Sequence, residues 1–72
     1  MARSHHAEAE KLYRHAITVQ PGYAIAIKNL GATLRRQKRY DEAEEALRQA
    51  ITVDPNFTDA ILQLAEVLSD QS

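Results

Sequence analysis

Apolar residues recur every three or four positions along two stretches in the middle of the chain. Ile27, Leu30, Gly31 and Leu34 form one stripe, and Ala43, Ala46, Leu47, Ala50 and Ile51 form another. That spacing places each set on one side of an α-helix. Between the stripes lies QKRYDEAE. Asp41 is expected to cap a helix N-terminus there, with Glu44 three places on completing a capping box. Pro55 stops the preceding helix, because proline lacks an N–H and clashes with the turn behind it. Asn56 is expected to cap the helix that follows, and Pro21-Gly22 marks the equivalent break earlier. These signals predict four helices, over roughly 5–19, 23–38, 41–53 and 57–70. The connections are about three residues long, so successive helices run antiparallel and the fold class is all-α.

The pattern repeats. When residues 1–38 are aligned with residues 35–72, 14 of the 38 pairs are identical, where unrelated chains of ordinary composition would match at roughly two or three. The identities include Ala9/Ala43, Ala16/Ala50, Ile17/Ile51, Val19/Val53, Pro21/Pro55, Ala26/Ala60, Ile27/Ile61, Leu30/Leu64 and Leu34/Leu68. A fixed period in this range indicates a stacked array of helical hairpins. Ala9, Ala16, Gly31, Ala43 and Ala50 let helix backbones approach closely, while Tyr13, Leu30, Tyr40 and Leu47 fill the wider gaps.

These residues resemble the tetratricopeptide repeat. Ile27 takes the first large apolar position of that 34-residue unit and Leu30-Gly31 its Leu-Gly pair. Leu34 takes its first tyrosine place, and Ala43, Leu47, Ala50 and Pro55 follow at the family spacing. RYDEAEEAL and AITVDPN are close to the usual wording of the family. The resemblance implies an antiparallel hairpin array forming a single domain over 1–72. It places a complete unit at 24–57, the second helix of a split unit at 1–22 and the first helix of a following unit at 58–72. Lys38 stands where the turn inside the repeat commonly has glycine, which predicts a tight or strained turn. Ala65 stands where Gly31 does, a frequent variant.

In this phase the first and last helices each lack a companion, and terminal units of such arrays normally carry a polar cap. None is visible. The first helix offers Ala9, Tyr13, Ala16 and Ile17, and the last offers Ile61, Leu64, Ala65 and Leu68. These are the two halves of the contact made inside the chain between the stripes. The expectation is a homo-oligomer that restores the missing pairs, swapped or head-to-tail. Charge favours it: residues 1–39 carry a net +6 and residues 40–72 a net -7, so opposite ends attract. A piece cut from a longer array, including a regulatory piece of a larger repeat protein, would show the same phase.

Tetratricopeptide arrays hold a peptide or partner protein on a concave face lined by the first helix of each unit. The resemblance assigns that face Lys28, Asn29, Ala32 and Arg36 from one helix and Asp59, Gln63 and Glu66 from the next. Asn29 and Gln63 are one period apart, and their amides suit an extended peptide backbone, pairing with both N–H and C=O. Some members clamp a C-terminal carboxylate with a lysine and an asparagine one turn apart. Lys28 matches the lysine, but Ala32 stands in the asparagine's place, and Asp59 and Glu66 have the wrong sign, which excludes that clamp.

Composition narrows the remaining classes. The formal net charge is -1, too little for general attraction to nucleic acid or an anionic membrane. Arg35–Arg39 (RRQKR) sits at a predicted helix C-terminus, where cations complement the helix dipole, and DEAEE opens the next helix, where anions do the same. There is no cysteine, hence no thiolate metal site or disulfide. His5, His6 and His15 lack the i, i+4 spacing of a helical metal pair. No nucleophile–base pairing and no phosphate loop is legible, so the expectation is a non-enzyme with no cofactor. No apolar run of 18 residues or signal-peptide core is present, making a soluble, cytoplasmic setting the default expectation. The sequence therefore points to a protein–protein interaction scaffold, with a self-assembling structural unit as the alternative.

Overall fold

The computed structural model describes residues 5–71. It contains helices α1 (His6–Val19), α2 (Ala24–Arg36), α3 (Tyr40–Val53) and α4 (Thr58–Gln71). Each end falls within two residues of its expected place. α1 packs on α2, α2 on α3 and α3 on α4, and α2 also touches α4. The result is an all-α hairpin array only 17 Å across its thinnest direction.

The core belongs mainly to the two middle helices. Ile27, Leu30 and Leu34 of α2 meet Ala43, Ala46, Leu47 and Ala50 of α3, all buried, as the two stripes require. α4 adds Ala60 and Val67, whereas no residue of α1 is fully buried. Tyr13, Ile17, Tyr40, Ile51, Phe57 and Leu64 are half-buried against this cluster. Gly31 makes the central crossing possible. A Cβ there would lie 2.7 Å from Cγ and 2.9 Å from Cδ2 of Leu47, inside ordinary van der Waals contact.

Two of the three turns are copies of each other. The N–H of Tyr23 donates to the Gln20 carbonyl and that of Phe57 to the Asp54 carbonyl, both at 3.0 Å. Pro21 and Pro55 hold the second place of these turns, where a fixed φ suits the bend. Asn56 does not cap α4, which begins two residues later at Thr58. Its own N–H is taken by the Asp54 side chain at 3.2 Å, so Asp54 organises the turn.

The turn between α2 and α3 is a Schellman motif. The N–H of Lys38 donates to the Arg35 carbonyl (2.9 Å) and that of Arg39 to the Leu34 carbonyl (3.0 Å). Among the described residues Lys38 is the one non-glycine residue with positive φ, at 63°. The strain expected from a lysine in a glycine place is therefore present. A left-handed residue with a side chain costs about 1–2 kcal/mol, against about 0.5–1 kcal/mol of added chain entropy for glycine. Lys38→Gly is expected to stabilise by about 0.5–1 kcal/mol, visible as a higher Tm. A lower Tm would contradict this account of the turn.

The expected capping box at Asp41 and Glu44 does not form. α3 begins at Tyr40 with Arg39 in the capping position, which leaves Asp41 inside the first turn. The Arg39 guanidinium instead holds both oxygens of Glu42, at 2.8 and 2.9 Å. Glu44 accepts from Arg48 and Gln71.

Candidate interaction surfaces

Three surfaces carry the chemistry. The first is the face shared by α2 and α4. Lys28, Asn29, Ala32 and Gln63 are half-buried on it, while Arg36, Asp59 and Glu66 are exposed. The Lys28 ammonium stands 5.9 Å from the centre of the Phe57 ring, within cation–π range, and the Asn29 carbonyl accepts from the Thr33 hydroxyl at 2.9 Å. Arg35 links the two helices by donating to Asp70 (2.8 Å) and Glu66 (3.2 Å). The bond to Asp70 raises the guanidinium's pKa further above its ordinary value. Glu66 is thus tied to Arg35 across the face, a link that spacing along the chain did not reveal.

The second surface is split between the two ends of the array, and the repeat itself measures it. Ile27 and Leu34 are each 1% exposed beneath α3, while their counterparts Ile61 and Leu68 are 43% and 42% exposed. Ala65, in the place of buried Gly31, is exposed as well. Leu64 is half-buried against the core, so it belongs more to the fold than to this open face. Val67, absent from the expected face, is fully buried and anchors α4. On α1, Ala9, Tyr13, Ala16 and Ile17 are half-buried, with Tyr13 and Ile17 packed on the core. Leu12, one place before Tyr13, is 60% exposed. The face expected from the repeat omits it because Ala46, its counterpart, is small. A leucine where the repeat has alanine was the available signal.

The third is a polar junction where α1, the end of α2 and the start of α3 meet. The Glu10 carboxylate accepts from Arg39 (2.7 Å), Arg14 (3.0 Å) and Gln37 (3.3 Å). The Arg39 bond does most to hold this carboxyl below the usual glutamate range, with Gln37 and Arg14 adding to it and partial burial opposing it. Glu44 is similarly lowered, by Gln71 first and then Arg48. Among the described residues no group of three or more His, Cys, Asp or Glu side chains is placed to hold a metal ion. No helix among them is long and apolar enough to cross a membrane.

Residues 24–57 match the family model of the tetratricopeptide repeat. The matched segment is α2, its Schellman turn, α3 and the turn that follows. No curated protein matches the chain with significance.

Proposed function

We propose, for a chain whose residues 24–57 are a tetratricopeptide repeat, that the two ends of the array are binding surfaces and that they bind each other. A repeat of this family is a protein-interaction module, and here the apolar surface suited to that work lies on α1 and α4. The observation that carries the reading is the contrast between Ile27 and Leu34, sealed by α3, and the exposed Ile61 and Leu68. The same side chains at the same spacing fit the same kind of cover. In this reading α1 is the second helix of a split repeat, α4 is the first helix of a following one, and a second copy brings them together. The opposite charge of the two halves draws copies into contact.

Sedimentation over a range of concentrations tests it. The chain is expected to grow in mass with concentration, and Leu68→Glu is expected to weaken association at least tenfold, for about 1.4 kcal/mol or more lost at the interface. Leu68 is preferred to Leu64 for the test because it does not pack on the core cluster. A chain that stays monomeric at every concentration overturns the reading.

A second reading places an extended peptide on the α2/α4 face, over Lys28, Asn29, Ala32, Arg36, Asp59, Gln63 and Glu66. It is favoured by the half-buried Lys28, Asn29 and Gln63, with the Lys28 ammonium already set against the Phe57 ring.

A further inference from the structure

The polar junction at Glu10 has an unfinished counterpart one period on. Glu10 takes a hydrogen bond from Arg14 Nε at 3.0 Å and from Gln37 Nε2 at 3.3 Å. Glu44 takes the same bonds from Arg48 Nε at 3.0 Å and from Gln71 Nε2 at 3.2 Å. What Glu10 also has is Arg39, which stands in the capping position of α3 and is paired with Glu42 three places on. Among the described residues Glu44 receives no such third donor.

The head of α1 carries a matching piece. His5 occupies the capping position of α1, as Arg39 does for α3. It pairs with Glu8 three places on, Nδ1 to Oε1 at 3.7 Å, as Arg39 pairs with Glu42. We infer that copies stack head-to-tail with α1 of one copy lying on α4 of another as α3 lies on α2, and that the incoming His5 becomes the third donor to Glu44. This register rests on the reading that the two ends bind each other.

The apolar contacts agree with this placement. Ala46 lines one hollow with Leu30 and Leu34, so the incoming Leu12 covers Leu64 and Leu68. Leu47 lies over Gly31, so the incoming Tyr13 lies over Ala65. Ala65 has the methyl that Gly31 lacks, which holds the new helix further out. Leu12 and Tyr13 are larger than Ala46 and Leu47 and fill that wider gap. Glu8 meets Arg48, as Glu42 meets Arg14 at 3.8 Å. The contact joins two different surfaces, so it propagates into an open stack unless its rotation closes a ring.

Replacing arginine by histidine at this junction makes it respond to pH, because histidine changes charge between about pH 5 and 8. The incoming imidazole faces Glu44 and Arg48 of α3 and its own Glu8, the counterparts of Glu10, Arg14 and Glu42 around Arg39, beside a hollow whose charged lining is Lys38, Arg39, Asp41, Glu42 and Asp70. Asp70 is already engaged by Arg35 and Arg48 by Glu44. The net surroundings are acidic, so protonation strengthens the stack.

Sedimentation of the full chain at pH 6 and pH 8 is expected to show association about two- to fivefold tighter at pH 6, the worth of one exposed ion pair. Glu44→Gln is expected to flatten that dependence, and His5→Arg to give the tighter association at both pH values. Leu12→Glu and Leu68→Glu, both at exposed positions, are each expected to be monomeric alone and to form a one-to-one dimer when mixed. Association of Leu12→Glu with itself overturns the register. So does a mixed dimer whose affinity ignores pH, Glu44→Gln and His5→Arg. A wild-type chain that never associates overturns the underlying self-association itself.

Discussion

Truncating Leu47 to alanine is expected to remove about 2–5 kcal/mol of stability. A domain of this length has about 4–11 kcal/mol in total, so the variant stands close to unfolding. Leu47 is fully buried, and its side chain lies directly over Gly31. Gly31 has no side chain that can swing into the vacated space, so the cavity persists. Gly31→Ala in the intact chain drives a methyl toward Leu47 Cγ and costs about 1–3 kcal/mol of overpacking, partly offset by alanine's better helix propensity, about 1 kcal/mol. With Leu47→Ala already present, the same methyl fills space instead of colliding. The double variant is therefore expected to be more stable than Leu47→Ala alone. Urea unfolding of the four chains of this cycle measures the coupling. Strict additivity would contradict a direct Gly31–Leu47 contact as the determinant of helix spacing.

Val67→Asp is expected to release α4. Val67 is fully buried where α4 meets the rest of the core, and a carboxylate placed there without a partner costs more than about 3 kcal/mol. Because each helix packs chiefly on its neighbours in sequence, the loss is expected to stay local. Hydrogen exchange should show the amides of Thr58–Gln71 losing protection while those of α2 and the first half of α3 keep most of theirs. Uniform loss across all four helices would show that the array unfolds as one unit. Leu68→Asp, one residue on but exposed, is the control, and at a dilution where copies do not associate it should change stability by less than about 0.5 kcal/mol.

The elements legible in the sequence are those governed by local rules. The 3-and-4 spacing of Ile27, Leu30, Gly31 and Leu34 depends only on helix geometry, and the structure buries all four. Pro55 blocks a helix through its own ring, and α3 stops at Val53. Lys38 in a glycine place implied a tight or strained turn, and the structure gives it a positive φ of 63°. Caps were harder to place. Asp41 has the right chemistry, yet the Schellman turn delivers the chain to the helix early and puts the capping position at Arg39, two residues before Asp41. Long side chains were harder still. Arg35 reaches Asp70, and Gln37 reaches Glu10, because separate helices converge, which no spacing within one helix encodes. The repeat did hold that information in another form, since Glu10, Arg14 and Gln37 each recur 34 places later. Their recurrence reads as three separate solvated side chains until the helices are assembled and the three are seen to meet.

The order of packing, each helix against the one before it, also bears on how the molecule comes into being. Nearly every contact is made between segments that follow one another along the chain, so relative contact order is low and acquisition of the native state falls in the microsecond-to-millisecond range. Helices emerging during synthesis can dock on the predecessor already in place, without waiting for a distant strand or terminus.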